Sequence, residues 1–142
     1  MLTRLVYVSR VAASVDTREA RSILSSSQTN NPRRCITGIL IFNSGYFVQW
    51  LEGSRAEVSS LFAHIARDAR HNAVELIDFS DVPKREFPEW GMGYVGEGIL
   101  NRELFARYAE GLDFNPYILS RESAVEFIRE ASAVALLLAR PA

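Results

Sequence analysis

Apolar and polar residues alternate at the N-terminal end of the chain, which predicts a β-strand from Leu2 to Ser9. The alternation divides the strand between two faces, with Leu5, Tyr7 and Ser9 on one and Val6 and Val8 on the other. A helix follows, with Asp16 as the predicted N-cap of a capping box and an apolar side formed by Ala20, Ile23, Leu24 and Ser27. It should end at Asn30-Asn31-Pro32, because a residue before proline is driven out of the helical region.

The middle of the chain predicts a hairpin, a second helix and two more strands. Strand-forming residues dominate Gly38–Phe42 and Tyr46–Leu51, and Asn43-Ser44-Gly45 between them supplies the turn. Ser54 begins another capping box, and the helix behind it has an apolar stripe at positions i, i+3, i+4 and i+7: Val58, Leu61, Phe62 and Ile65. Further strands are predicted at Val74–Phe79 and, after a loop with Pro83 and Pro88, at Trp90–Val95.

This order of elements, βαββαβ with an added fifth strand, is typical of a ferredoxin-like sandwich, an α+β fold with two helices on one face of a sheet. We expect the first strand in the middle of that sheet. The composition changes at Gly96-Glu97-Gly98, which predicts a first domain at residues 1–95 and a C-terminal helical extension at 96–142. The extension should contain two helices, one around Leu104, Phe105 and Tyr108 that ends near Gly111, and one at Ser123–Leu138.

The predicted last helix is apolar over a broad face. Its main stripe consists of Ala124, Phe127, Ile128, Ala131, Ala135 and Leu138, and Val134, Leu136 and Leu137 widen it. A face of this width has to be covered. Two interpretations remain open: the helix packs on the side of the sheet that the first two helices leave free, or it contacts another subunit or a partner.

Length and charge describe an ordinary globular domain. The chain has 142 residues, of which 48% are hydrophobic, and a formal net charge of -1, so it lacks the basic surplus of nucleic-acid-binding proteins. Cys35 is its single cysteine, which excludes an intrachain disulfide and a metal site built from cysteines. The N-terminal residues do not form a signal peptide, and no apolar run approaches the ~20 residues that cross a membrane. We therefore expect a cytoplasmic protein that binds neither membrane nor nucleic acid.

Polar side chains fall where the pattern predicts a core. Gln49 shares its strand face with Phe47 and Leu51, and Tyr7 has similar apolar surroundings on the first strand. Each unsatisfied polar group of a buried amide costs about 1–3 kcal/mol, so Tyr7 and Gln49 would hydrogen-bond to each other if their faces meet. Taken singly, each is also compatible with an ordinary buried polar residue.

Other polar residues have a structural and a functional interpretation. Asn30 and Asn31 suit the end of a helix, and His64 and Asp68, spaced i and i+4, lie on one side of the second helix, where a surface hydrogen bond would explain them. The sequence shows no Ser/His/Asp triad, phosphate-binding loop, cluster of metal ligands or pair of catalytic carboxylates. Spacing alone therefore predicts an α+β domain with a polar cleft and no metal.

Six short segments together carry a resemblance to a known family: Leu5–Ser9, Asn30–Pro32, Ile36–Leu40, Phe47–Gly53, Asp68–His71 and Phe87–Met92. In this order and at these spacings they resemble the BLUF family, blue-light sensors that use FAD. The resemblance covers residues 1 to about 95, and it is specific as a set rather than in any single motif. The fold that it implies agrees with the βαββαβ order.

The resemblance implies FAD as the cofactor, with FMN or riboflavin as substitutes, and places the isoalloxazine ring between the first two helices, over the sheet. It assigns Tyr7 as the donor of an electron and a proton to the excited flavin, and Gln49 as the amide that switches. Trp90 and Met92 would be strand residues whose surroundings respond. The implied cofactor-binding residues are Tyr7, Asn30, Asn31, Gln49, His64, Asp68, Arg67, Arg70 and His71.

Within that set the resemblance distributes the contacts. Asn31, with Asn30 nearby, would bond the polar edge of the ring, and His64 and Asp68 would line the side of the second helix. A positive group at the mouth of the pocket would meet the FAD phosphates, for which Arg67, Arg70 and His71 are the candidates.

The function implied is that of a short, stand-alone photoreceptor without enzymatic activity. Its signal would leave through the C-terminal helices to a separate effector protein, for which a cyclic-di-GMP phosphodiesterase or a transcriptional regulator is the expectation. The apolar last helix adds the expectation of a homo-oligomer, a dimer or larger. The alternatives are a flavin-dependent redox enzyme and a flavin-binding module that does not respond to light.

Overall fold

The computed structural model describes residues 1–12, 17–43, 45–96 and 98–139. In these residues one sheet contains five strands: β1 (Leu2–Val11), β2 (Thr37–Asn43), β3 (Tyr46–Ser54), β4 (His71–Val82) and β5 (Gly93–Val95). The α-helices of the same residues are α1 (Thr17–Asn30), α2 (Arg55–Arg67), α3 (Arg102–Ala106) and α4 (Arg121–Ala139). Short 3-10 turns cover Pro32–Arg34 and Pro116–Ile118.

The sheet has the strand order β4-β1-β3-β2-β5. Neighbouring strands are antiparallel, except that β2 and β5 are parallel. The first four strands follow the ferredoxin-like order, and the predicted α+β class with an added strand is confirmed. β1 has a neighbour on each side, but the central strand is β3, because β5 joins the sheet beyond β2. The prediction that β1 lies in the middle is wrong in this respect.

Alternation along the strands divides the interior into two cores. Leu5 and Tyr7 of β1 belong to a core with Ile23 of α1 and Val58 of α2. The opposite face of β1 belongs to a second core, in which strand residues meet α4: Val6, Val8, Ile39, Ile41, Val48, Trp50, Ala124, Phe127, Ile128 and Ala131. The sheet is therefore covered on both faces, and each face has the residues that a period of two assigns to it.

Capping residues set the ends of the first two helices. Ser54 is the N-cap of α2, and its hydroxyl accepts a hydrogen bond from Glu57 N at 3.2 Å, as the capping box predicts. α1 ends at Asn30, as the proline at position 32 predicts. The predicted N-cap Asp16, Ser44 of the predicted turn and Glu97 of the predicted domain boundary lie outside the described part of the chain, as does the side chain of Ala20.

The apolar stripe of α4 packs on the sheet. Phe127, Ile128 and Ala131 are fully buried against it, which confirms the first of the two interpretations of this helix. Since the chain itself covers the stripe, the stripe no longer argues for a subunit contact. The side chains of residues 136–139, with Leu138 of the predicted stripe, lie outside the described part.

Several elements differ in length from the prediction, among them β4, α3 and β5. β4 runs from His71 to Val82, and it passes register shifts opposite β1 and a left-handed residue, Ala73 (φ 49°), that pattern reading does not detect. α3 ends at Ala106 instead of near Gly111, because Arg107 N and Tyr108 N bond carbonyls three residues back and tighten the chain into a turn. β5 begins only at Gly93.

In the part of the chain that the structure describes, no helix combines the length and the apolar character needed to cross a membrane.

Candidate functional site

Tyr7 and Gln49 are directly opposite each other on β1 and β3. Tyr7 is fully buried and Gln49 is 4% exposed, and the Tyr7 hydroxyl donates a hydrogen bond to Gln49 Oε1. The other end of the amide donates from Nε2 to Met92 Sδ at 3.3 Å. The contact that the sequence predicts between Tyr7 and Gln49 is therefore present. Gln49 uses its amide as acceptor at one end and as donor at the other.

A cleft between α1 and α2 has this pair in its wall, and its volume is about 110 Å³. It brings together most of the residues that the sequence singles out: Tyr7, Asn30, Asn31, Gln49, His64, Asp68, Arg70 and His71. Ile23, Ser26, Ser27, Leu61 and Ile65 complete its lining. The sheet supplies the floor and the two helices supply the sides, which is the arrangement expected of a ligand site on this fold.

Three predicted residues do not line the cleft. Arg67 is an exposed residue at the end of α2. Met92 is buried in the core that contains Tyr7, and its sulfur accepts a hydrogen bond from Gln49, which does line the cleft. Trp90 packs on the opposite core, where its ring stacks on Phe87 with centroids 5.5 Å apart.

Trp90 and Met92 precede β5, so the prediction that they are strand residues is wrong. The physical reason is a turn, in which Trp90 N donates to Phe87 O at 3.2 Å. The Trp90 ring then lies against the backbone of Gly93, where a Cβ atom would come within 2.3 Å of it. A side chain at Gly93 would therefore displace the indole.

Asn31 presents an unpaired donor in this cleft. The residue is 2% exposed, and its Nδ2 atom is buried without a hydrogen-bond partner. Its backbone is fixed, because Asn31 O accepts hydrogen bonds from Arg34 N at 3.0 Å and Ile36 N at 2.9 Å. Native proteins rarely leave a buried amide unpaired, so the atom points to a missing acceptor. Asn30 is exposed at the rim.

A carboxylate and a guanidinium form the polar end of the cleft. Arg70 bonds Asp68 through Nη2 at 2.6 Å and through Nε. These hydrogen bonds lower the pKa of Asp68 to about 2 and raise the pKa of Arg70, so both groups are charged at neutral pH. His64 is exposed. The predicted pairing of His64 with Asp68 is wrong, because Asp68 caps the end of α2 and bonds Arg70 instead.

The two titratable groups at the floor are neutral. Burial raises the pKa of Tyr7, and the nearby negative charge of Asp68 raises it further. Burial lowers the pKa of His71 to about 4, against a smaller opposing effect of Asp68. His71 is therefore not the positive group that was expected to meet phosphates. Its Nδ1 hydrogen-bonds to Ser9 Oγ at 2.9 Å, and its ring meets Tyr7 edge-on at 6.1 Å.

Sequence reasoning missed several supporting residues. Ser9, Ser26 and Gln28 look like ordinary polar residues of a strand or helix, yet Gln28 Nε2 donates to Met92 O at 3.2 Å and Ser9 bonds His71. The sequence does contain a signal for Glu52, because it is a charged residue that follows the apolar Trp50 and Leu51 in a strand. No group of three or more His, Cys, Asp or Glu among the described residues could hold a metal ion.

Comparison with known proteins places this arrangement in a family. A family model described as BLUF, sensors of blue-light using FAD, matches residues 2–93. A curated relative, the blue light- and temperature-regulated antirepressor BluF of Escherichia coli, is 36% identical over 94 residues. This match takes in 65% of the present chain but only 23% of that relative, so the chain spans less than a quarter of BluF.

Solved structures agree with the family match over a greater length. BlsA in its photo-activated state superposes with a TM-score of 0.84 at 28% identity, covering 100% of this chain and 99% of that one. Klebsiella pneumoniae BlrP1, solved with FMN and cyclic diGMP, superposes with a TM-score of 0.65 at 27% identity. The superposition takes in 98% of the present chain and 34% of the BlrP1 chain. With the family model matched across β1 to β4 and the cleft, the chain belongs to the BLUF family of blue-light sensors that use FAD.

Proposed function

We propose that the chain detects blue light through a flavin held in the cleft between α1 and α2, and that Tyr7 and Gln49 form the switch. The buried hydrogen-bond chain from Tyr7 through Gln49 to Met92 carries this proposal. Two residues that merely filled the core would not need to be a phenol and an amide that share a hydrogen bond at the edge of a cleft.

The residues of the cleft fit a flavin ring. Asn31 Nδ2 is a buried donor without a partner, which suits a ring carbonyl, and Gln49 has a second amide hydrogen to offer. Apolar side chains on α1 and α2, Ile23, Leu61 and Ile65, would contact the flat faces of the ring. The volume of about 110 Å³ is below the ~300 Å³ of small-molecule pockets, so the side chains between the helices have to move apart to admit it.

FAD is the flavin we propose, and FMN or riboflavin would occupy the same ring site. The difference between these flavins lies beyond the ring, where Arg70 is partly exposed and Arg67 is exposed. Arg67 would turn towards a phosphate at the mouth of the cleft, and Arg70 would do so by giving up hydrogen bonds to Asp68. His64 and Asp68 would then line the polar edge of the ring or its side chain.

The bound flavin supplies a chromophore for blue light that becomes a strong oxidant when excited. Tyr7 would give an electron to the excited flavin, and its phenolic proton would move to Gln49 Oε1 along the hydrogen bond already in place. The raised pKa of Tyr7 keeps the phenol protonated until that moment, so the proton leaves only with the electron. When both return, Tyr7 is again a neutral phenol, and no reagent is consumed.

The Gln49 amide would stay rearranged after the electron and the proton have returned to Tyr7. An amide has a donor at one end and an acceptor at the other, so rotation or tautomerisation exchanges what it offers to Tyr7, to Met92 and to the ligand. The hydrogen bond from Gln49 Nε2 to Met92 Sδ is then lost or replaced. Met92 precedes β5, and β5 lies beside α4, which gives the rearrangement a route to the C-terminal helices.

We propose that residues 96–142 act as the output segment and contact a separate effector protein. BluF is described as an antirepressor, and this supports a regulator of transcription as effector. BlrP1 was solved with cyclic diGMP, and this supports a cyclic-di-GMP phosphodiesterase as the other class. A homo-oligomer also remains a proposal, and it needs a surface other than the covered stripe of α4.

An absorption spectrum of the purified protein, before and after blue illumination, tests the proposal. Flavin bands that move slightly to the red and return in darkness support it. Flavin that bleaches to a reduced form supports a redox enzyme, and flavin that does not respond supports a passive flavin-binding module. A colourless protein that takes up no added FAD contradicts the whole proposal.

The variant Tyr7→Phe tests the switch itself. It removes the hydroxyl and retains the ring, so flavin should stay bound while the red shift disappears. Tyr46→Phe is the matched control, since Tyr46 is a partly buried tyrosine of β3 whose ring packs on Tyr117, away from the cleft. A Tyr7→Phe protein that shifts and recovers normally contradicts the mechanism.

A further inference from the structure

Glu52 is a buried carboxyl that the proposed switch does not use. It is 1% exposed on β3, on the strand face opposite to Gln49. Each of its oxygens accepts two hydrogen bonds: Oε1 from Phe87 N at 2.6 Å and Thr37 Oγ1 at 3.0 Å, Oε2 from Glu86 N at 2.9 Å and Trp50 Nε1 at 3.1 Å. Two of these donors belong to the backbone between β4 and β5, which we call the connecting segment (residues 83–92).

Around Glu52 the connecting segment is fastened from several sides, and nearer β5 it has further bonds, from Gly38 N to Trp90 O at 3.0 Å and from Gln28 Nε2 to Met92 O at 3.2 Å. Arg85 donates to Thr37 Oγ1 at 2.8 Å, to Glu52 O at 3.2 Å and to Cys35 O at 2.7 Å. Phe87, whose N–H bonds Glu52, meets Trp50 edge-on with ring centroids 5.2 Å apart. The Glu52 carboxyl therefore sets the position of residues 85–87 relative to β2 and β3.

The same segment joins the two faces of the sheet. At its C-terminal end Met92 accepts the hydrogen bond of Gln49, on the side of the cleft. In its middle, Trp90 stacks on Phe87 in the core shared with α4. Glu86 then bonds Arg129 of α4 at 3.0 Å. A displacement of Met92 thus reaches α4 through backbone that Glu52 holds.

We infer that Glu52 is the positioning residue that converts rearrangement of Gln49 into movement of α4. This inference rests on the proposed function and adds the fixed point about which the connecting segment turns. With residues 86 and 87 held, a change at Met92 shifts the Trp90–Phe87 stack and the Glu86–Arg129 pair. Without the fixed point, the segment absorbs the change locally and α4 does not respond.

Glu52→Gln is a sharp test, because it changes hydrogen-bonding character and leaves the shape of the side chain intact. Four donors converge on the carboxyl, and an amide has only one oxygen to receive them. In either orientation its NH₂ group would face at least one backbone N–H, that of Phe87 or that of Glu86, and repel it, which releases one side of the segment. Gln49 and the cleft are on the other face of the sheet and keep their contacts.

The experiment measures two signals on the same flavin-loaded protein. The flavin absorption shift reports the switch, and hydrogen exchange in darkness and in light, read for residues 121–135, reports α4. Wild type should show both. In Glu52→Gln the absorption shift should remain, while the light–dark difference in α4 falls about tenfold, the effect of replacing one hydrogen bond by a repulsive contact. Glu89→Gln, an exposed glutamate of the same segment, is the control and should behave as wild type.

Each outcome decides between the two proposals. No absorption shift in wild type contradicts the proposed function itself. A normal shift in wild type without any change in α4 overturns the inference, and so does a full α4 response in Glu52→Gln. Loss of the absorption shift in folded Glu52→Gln would assign the residue to the switch and also overturn the inference.

A second variant tests the inference even if Glu52→Gln does not fold. Arg129→Gln breaks the bond to Glu86 at a side chain that is 50% exposed, so folding should be preserved. It should retain the absorption shift and weaken the α4 response. An unchanged α4 response in Arg129→Gln would contradict the route through the connecting segment.

Discussion

His71 should make the stability of the protein depend on pH. It is 7% exposed at the floor of the cleft, and burial lowers its pKa from 6.5 to about 4. The unfolded chain takes up a proton as the pH falls through 6.5, whereas the folded protein does so only near pH 4. Stability is therefore fully present above pH 6.5 and is lost as the pH falls towards 4.

The size of the loss follows from the two pKa values. A pKa difference of one unit corresponds to about 1.4 kcal/mol, so the fall from 6.5 to about 4 gives an upper limit near 3 kcal/mol. The steepest slope is about 1.4 kcal/mol per pH unit, reached where the unfolded histidine is charged and the folded one is neutral. The loss is a large part of the ~5–15 kcal/mol that stabilises a typical domain.

The assay is urea unfolding of the flavin-free protein, followed by circular dichroism, at several values between about pH 7.5 and 4.5. His71→Gln keeps a polar partner for Ser9 and removes the titrating ring, so it should unfold with a shallower dependence on pH. His64→Gln is the matched control, because the chain has 2 histidines and His64 is the exposed one. Equal pH dependence in wild type and His71→Gln would refute the argument.

Further predictions concern other residues of the cleft and core. Asn31→Ala removes the unpaired amide, so the flavin-free protein should lose little stability, while flavin affinity, measured by fluorescence titration, falls up to about tenfold. Gln49→Leu should retain flavin and lose the red shift in the absorption spectrum, at a cost of about 1–3 kcal/mol for the unpaired Tyr7 hydroxyl. Phe127→Ala should cost about 3–5 kcal/mol in urea unfolding, because Phe127 is 0% exposed among Phe105, Phe114 and Tyr108.

The sequence predicts the elements well where the signal is local. The capping box at Ser54 and the proline at position 32 depend on neighbouring residues only, and both boundaries agree with the structure. Predictions fail where distant contacts decide. β5 begins late because the backbone around Trp90 turns back on Phe87, and α3 stops early because its last bonds tighten to three-residue turns.

The candidate site also divides into features that local sequence patterns predict and features that distant contacts decide. Alternation placed Gln49 with Phe47 and Leu51 and Tyr7 with Leu5, and a period of two leaves no other choice of faces. The resemblance supplied roles for Asn31, Asp68 and the other cleft residues, which alternation cannot do. Neither source predicted that Asp68 would pair with Arg70, since an end-of-helix carboxylate has several basic neighbours within reach.

The sequence by itself determined which residues face each core, since the periods of strand and helix are local properties of the chain. It also determined that Tyr7 and Gln49 would be buried and in need of partners. Only the tertiary structure decided that the two lie opposite each other, because that depends on the register between β1 and β3. Likewise, the four donors around Glu52 and the neutral state of His71 arise from burial and from groups distant in sequence, which no local pattern encodes.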